Sequence, residues 1–278
     1  MAHPILCSTG AIVNRANGRD PALIMKYAPL LHCDGMEFMM YSTWYPDYLS
    51  VARELAASGI PFPAMHIEKS VGDRVSRDQG SDTEDAVRDF ALNCEVADII
   101  GAKQLVLHLW GNVDSDRHIE HNLRVFGRLL EIARAHGLEL TVENVVCSHV
   151  DPMTHLRALR DAYPDAAFTI DTKMAEFHRQ LPLFSQPEWT WLWREKRVKH
   201  LHINDYRGAY MDWTSLKTLF IGDGQIDFAP FFETAGRWGY EGSLTCECTA
   251  VRPDGSVDVE RLNESLDKVR EMTAKYLD

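Results

Sequence analysis

Several features are missing from this 278-residue sequence, and each absence removes a class of protein. No apolar stretch approaches the roughly 18 residues of a membrane-spanning helix. The opening "MAHPILCSTGAIVN" has no basic segment followed by an apolar run, so no secretory signal is expected and a cytoplasmic location is. The six cysteines, Cys7, Cys33, Cys94, Cys147, Cys246 and Cys248, never fall at C-x-x-C spacing and are scattered along the chain. They read as reduced thiols, neither a disulfide framework nor a zinc knuckle. Positive charge is also scarce. With 29 Lys and Arg against 41 Asp and Glu the net charge is −12, which argues against nucleic-acid and anionic-membrane partners and leaves room for a cation site built from carboxylates. No low-complexity linker divides the sequence.

What is present is a recurring unit: a short β-rich apolar run, a polar residue near its end, then a longer helical pattern. The runs are Pro4 to Thr9, Gly35 to Tyr41, Phe62 to Ile67, Gln104 to Trp110, Leu138 to Asn144, Ala167 to Asp171, Val198 to Ile203 and Gly242 to Cys248. Each is bounded by turn or polar residues, as buried parallel strands are. Between them, "TEDAVRDFALNCEVADIIGA" sets Ala86, Val87, Phe90, Ala91, Cys94, Ala97 and Ile100 at helical spacing, with Gly101 as a stop. "HNLRVFGRLLEIARAHG" repeats the scheme with Leu123, Phe126, Leu130 and Ala133, and Val259, Leu262, Leu266, Val269 and Met272 mark a closing helix. Eight strands alternating with helices predict an α/β fold, a (β/α)8 TIM barrel forming a single domain over residues 1–278. A doubly wound open sheet is the alternative, but no G-x-G-x-x-G follows its first strand.

The polar residues near the run ends are Glu37, His66, His108, Glu143, Asp171, His202 and Glu247. In a parallel barrel all strand C-termini lie at one face, so residues distant in sequence converge there. A ring of carboxylates and imidazoles offers the roughly four to six O and N donors a divalent cation needs. Packing is the competing explanation for any one of them, above all for His200, which shares a strand face with His202.

The segments "PAMHIEKS", "GAKQLVLHLWG", "LTVENV", "FTIDT", "KHLHINDYRG" and "IGDGQIDFAPFFETAGRWGYEGSLTCE" resemble the xylose isomerase-like TIM-barrel superfamily. That superfamily holds sugar (phosphate) isomerases and epimerases, inosose and dehydroshikimate dehydratases, and an apurinic-site endonuclease branch. The resemblance to its epimerases implies one divalent ion, Mn²⁺, Zn²⁺ or Mg²⁺, held by Glu143, Asp171, His202 and Glu247. It implies further that Glu143 and Glu247 are the catalytic acid/base pair, moving a proton through a metal-stabilised enediolate of a sugar or related polyhydroxy ketone. His200, one pleat deeper than His202, is then a hydrogen-bonded core residue.

His66 and His108 resemble residues that bind substrate hydroxyls, with a packing role as the alternative. Trp110 is a candidate wall for a sugar face or a loop-packing residue, and Arg207 a candidate anion or hydroxyl contact or a partner of Asp205. The endonuclease branch has a histidine three residues after the sixth-strand Asp, where Met174 stands here, and an Asp-x-His before the Ile-Gly turn, absent from "SLKTLFIGDG". A trinuclear zinc cluster is therefore not expected, and Lys173 or His178 is the candidate for the missing substrate contact. The expected partner is a small-molecule carbohydrate, with homo-oligomers admitted. A lyase of the same fold is the alternative function, and a non-catalytic sugar-binding barrel or an endonuclease is more remote. "WTWLWREKR" reads as helix packing, "GDG" at Gly222 to Gly224 as a tight turn, and Cys246 and Cys248, flanking Glu247 on a strand, as buried thiols turned away from the metal.

Overall fold

In the computed structural model, residues 3–277 are described; Met1 and Ala2, part of the stretch read for a signal, and Asp278 lie outside the described residues. Eight strands close in chain order into a parallel barrel, as the alternation predicts: β1 Ile5–Ser8, β2 Gly35–Met39, β3 Ala64–His66, β4 Gln104–Leu107, β5 Glu139–Glu143, β6 Ala167–Asp171, β7 Val198–Ile203 and β8 Ser243–Cys246. Their side chains are almost all buried, which is why the runs are largely apolar and do not alternate between an apolar and a solvent-facing side.

The helices between them are α1 Ala22–Tyr27, α2 Tyr48–Ala57, α3 Ser70–Arg77, α4 Asp82–Ile100, α5 Ile119–Ala135, α6 Pro152–Ala162, α7 Thr172–Phe177, α8 Trp191–Arg194, α9 Ala229–Arg237 and α10 Val259–Tyr276. Their ends follow from the sequence. α4 opens on Asp82, Glu84 and Asp85, which suit the positive end of the helix dipole, and stops at Gly101 in the left-handed conformation, φ 81°. α6 begins with Pro152 behind Asp151, whose carboxylate accepts the Thr154 N–H. In α10, Leu262, Leu266 and Val269 are fully buried as expected, whereas Val259 and Met272 at its two ends are half-buried. No helix among the described residues is long and apolar enough to cross a membrane.

Several strands stop short of their apolar runs, and two of these ends bear on the site. β4 stops at Leu107 and β8 at Cys246, so His108 and Glu247 are the first residues beyond their strands, and Cys248 is in the loop that follows. The Cys246 and Cys248 thiols are nonetheless buried 3.3 Å apart. Trp189, Trp191 and Trp193 are buried around α8, with the Trp193 indole N–H donating to the Phe184 carbonyl, which is the packing role expected of them.

Contacts divide the chain into two compact units, Met1–Glu37 with Thr169–Asp278, and Phe38–Phe168. In the first, β1 sits between β2 and β8, pairing Ser8 with Glu37 and Leu6 with Thr245, and β7 pairs His200 with Ser243 and His202 with Thr245. In the second, β3, β4 and β5 pair in order, His66 with Val106 and Val106 with Thr141.

Candidate metal and substrate site

The first unit gathers Glu37, Asp171, His200, His202 and Glu247 at the ends of β2, β6, β7 and β8. His200 and His202, two apart on one strand, point to the same side and meet edge to face with ring centroids 5.1 Å apart. One oxygen of Glu37, Oε2, accepts from His200 Nε2 at 2.7 Å, His202 Nε2 at 3.1 Å and the Thr245 hydroxyl at 2.8 Å. Burial by itself would raise the Glu37 carboxyl, but the charge of His202 and the hydrogen bonds from both imidazoles outweigh it and hold the group well below the usual carboxylate range. Burial lowers His200, with Glu37 opposing.

Asp171 closes β6 and caps α7: its Oδ1 accepts the Met174 N–H at 2.8 Å. Its Oδ2 accepts from the Asn204 amide at 2.6 Å, and the same amide nitrogen donates to Glu247 Oε2 at 3.2 Å. Asn204 thus ties two carboxylates together. Glu247 Oε1 is buried without a hydrogen bond among the described residues and lies 3.6 Å from His202 Nδ1. Like charges this close and this buried repel, so the arrangement favours a cation between them. A divalent ion fits the donor set: two carboxylates, an imidazole nitrogen and one oxygen with nothing to accept from.

The second unit brings together His66, His108 and Glu143, one nitrogen or oxygen from each lying within 4.8 Å of the others. His66 Nδ1 donates to the Ile67 carbonyl at 2.7 Å, which turns Nε2 toward Glu143 Oε2 at 3.4 Å; His108 Nε2 reaches the same oxygen at 2.8 Å. Burial pulls His108 down to about 4 against the opposing pull of Glu143, so its imidazole is neutral at neutral pH. Two imidazoles beside a carboxylate, that of His108 neutral, are suited to hydrogen-bonding hydroxyls or a carbonyl.

Behind this cluster the β4–α5 and β5–α6 loops are clamped by Asp116. Its Oδ1 accepts the N–H groups of Ser148 at 3.2 Å and His149 at 3.1 Å, and its Oδ2 accepts Val150 N–H at 2.8 Å and His155 Nε2 at 2.9 Å. Cys147 completes a buried trio with Asp116 and His155, but every lone pair of the carboxylate is engaged and burial pushes the thiol far up. The trio is a brace, not a cation site.

Trp110 is fully buried, its ring edge-to-face with His155 and its N–H donating to the Val145 carbonyl. These contacts lie on the packing side of its two expected roles. Lys173 is buried on α7 at 5% exposure, and His178 meets Phe177 and Tyr210 edge to face. Arg207 is exposed. Asp205 is occupied by the N–H groups of Tyr206, Gly222, Gly224 and Ile226, which it draws into the tight turn expected at "GDG". Gly224 is required there, since a Cβ would stand 2.1 Å from Asp205 Oδ1. Sequence reasoning missed the roles of Asn204, Thr245 and Asp116. Asn204 was visible as the polar stop of "HLHIND"; Asp116 sits in a loop with no periodic signal.

A barrel whose carboxylates and imidazoles collect past the strand ends is the architecture of a barrel enzyme family, and the family is shown by sequence. The chain belongs to the xylose isomerase-like TIM barrel family, whose model matches residues 29–272. No curated relative matches the chain. Among solved structures it is similar to the IOLI protein with a bound zinc atom (TM-score 0.74, 14% identity, 98% of this chain and 99% of that one). It is also similar to D-allulose 3-epimerase from Methylomonas sp. in complex with D-allulose (0.69, 15%, 98% and 97%) and to an L-ribulose 3-epimerase (0.63, 17%, 100% and 92%).

Proposed function

We propose that the protein is a divalent-metal-dependent isomerase or epimerase of a sugar or related polyhydroxy ketone. The observation that carries this reading is the joining of Asp171 and Glu247 by the Asn204 amide, with Glu247 Oε1 buried, lacking a hydrogen bond and 3.6 Å from His202 Nδ1. Two sugar 3-epimerases and a zinc-holding protein among the structures of like fold support it. Asp171, His202 and Glu247 are three of the ligands, and Glu143, at the end of the preceding strand in barrel order, is the fourth. The ion is Mn²⁺, Zn²⁺ or Mg²⁺.

When bound, the ion supplies Lewis acidity at the substrate carbonyl, which makes the neighbouring C–H more acidic. Glu143 and Glu247 are the proton carriers: one carboxylate takes the proton from carbon and a carboxylic acid returns one, to the same or the opposite face. His66 and His108 bind the hydroxyl or carbonyl oxygens, and buried Lys173 and exposed Arg207 are the remaining substrate contacts. The cytoplasm is the proposed location and a small carbohydrate the proposed partner, with no nucleic acid or membrane.

Incubation with a panel of ketoses, inososes and cyclic keto acids in deuterated water tests the reading. Deuterium entering at carbon without loss of water supports an isomerase or epimerase. A new alkene signal replaces it with a lyase of the same fold, and no reaction across the panel leaves only sugar binding.

A further inference from the structure

We propose that Asn204 is a positioning residue: its single NH₂ group holds the carboxylates of Asp171 and Glu247 in a fixed relation to one another, so that both are presented to one divalent ion. This rests on the metal-site reading above.

The placement follows from strand order. β7 lies between β6 and β8 in the barrel. Side chains alternate along a strand, so Asn204, just past the end of β7, continues the side that carries His200 and His202. Asp171 closes β6, and Glu247 is the first residue beyond β8. A side chain at the end of the middle strand therefore reaches the carboxylates of both neighbours. Its nitrogen donates to Asp171 Oδ2 at 2.6 Å and to Glu247 Oε2 at 3.2 Å. Carboxylate oxygens only accept, so the nitrogen of the amide faces them, and an NH₂ group has one proton for each. The amide oxygen, Oδ1, is buried and takes no hydrogen bond among the described residues. Both donors are thus committed to the carboxylates while the acceptor is left over, an arrangement that packing alone does not call for.

Asn204 is itself held at the backbone. The Thr172 hydroxyl accepts the Asn204 N–H at 2.9 Å and donates to the Asn204 carbonyl at 2.7 Å. Asp171, the residue before it, is fixed in turn by the Met174 N–H. The pair Asp171-Thr172 grips Asn204 by main chain and side chain alike, and Asn204 carries that fixed point across to Glu247. The choice of an amide matters. A lysine or arginine could bridge the same two oxygens, but its positive charge would stand in for the cation. An amide donates twice and adds no charge, so both negative charges remain for the ion. Each carboxylate oxygen has two lone pairs, and one that accepts from Asn204 can still meet a cation.

The test uses the full chain, stripped of metal. Calorimetric titration with Mn²⁺ reads affinity, and the visible absorption bands of added Co²⁺ read the arrangement of ligand atoms around the ion. Asn204→Ala, which removes both donors, is expected to bind Mn²⁺ at least about tenfold more weakly and to shift the Co²⁺ bands. If it does not fold, Asn204→Ser, whose one hydroxyl proton cannot serve two carboxylates, decides in its place with the same expectation. The bands carry the decision, because a loss of stability alone does not move them. A folded variant with wild-type bands, even with a lowered melting temperature or a weakened affinity, overturns the inference and leaves the metal reading intact. A wild type that binds neither Mn²⁺ nor Co²⁺ overturns the metal reading itself, and with it any role of Asn204 toward a metal.

Discussion

Replacing Asp116 with asparagine isolates the contribution of one buried carboxylate to the loop that follows Glu143. The carboxylate is 2% exposed and accepts four N–H hydrogen bonds, two at each oxygen, beside the bond from the Cys147 thiol. An asparagine in the same rotamer keeps its carbonyl oxygen for Ser148 and His149, but its NH₂ then faces the Val150 N–H and the His155 Nε2–H. His155 can move its proton and accept; Val150 N–H cannot. The variant loses about 1–3 kcal/mol for that unmatched donor, and about 1 kcal/mol more because the remaining bonds go to a neutral acceptor. A total of about 2–4 kcal/mol corresponds to a melting temperature lower by about 3–7 °C for a chain of this length.

The pH dependence gives a second reading. Burial would raise Asp116, but the His155 hydrogen bond and those from the His149, Val150 and Ser148 N–H groups hold it far below the usual carboxylate range. The unfolded chain therefore binds this proton at higher pH than the folded one. The stability difference between wild type and Asp116→Asn is full above about pH 4 and shrinks as the pH falls through the depressed folded value. Urea unfolding across that range measures it, and amide exchange at Ser148, His149 and Val150 should quicken in the variant. A difference below about 0.5 kcal/mol at neutral pH, with exchange at those amides unchanged, refutes the brace.

Three further outcomes concern the site. The purified protein should carry about one divalent ion per chain; elemental analysis giving a value near three would return the endonuclease branch to consideration. His202→Ala and Asp171→Asn should each weaken metal binding by at least about tenfold, roughly 1.4 kcal/mol, with unaltered calorimetric affinity counting against either residue as a ligand. Glu143→Gln and Glu247→Gln should keep partial metal occupancy yet lose turnover by more than about 10²-fold. For a two-base epimerase, each metal-loaded variant should still exchange the substrate α-proton from one face only, and near wild-type deuterium wash-in with both epimers would make the glutamates ligands alone.

The barrel was legible because its strands are buried on both sides, so eight apolar runs stand out from helices such as α4 and α10 with their single apolar stripes. The residues at the strand ends were legible for the same reason: a polar side chain such as Glu143 or Asp171 is conspicuous in an apolar run. Strand ends were read too long at His108 and Glu247, since a loop residue that continues the line of a strand keeps its composition. Trp110 was ambiguous because an indole on a loop serves equally for packing or for binding, and its burial against His155 is not visible in the sequence. The shared acceptor of His200 and His202 could not be read at all. Glu37 lies 163 positions from His200, and no local pattern links residues so far apart.

The amide cluster around Asp205 bears on how the protein could change. Because Asp205 holds Gly222 and Gly224, the two ends of the segment from Arg207 to Phe220 are drawn together, and Met211 N–H ties its middle to the Phe177 carbonyl. Its ends are held by Asp205, and His202, Asn204 and Glu247 sit outside it. Doubling such a loop costs only about 0.6 kcal/mol in closure entropy. Here lies a natural graft site: Tyr210, 60% exposed at its crest, could give way to a longer or differently charged insert while the buried machinery stayed in register. Substrate range in a barrel of this kind would then be rewritten by exchanging a loop, with the strands untouched.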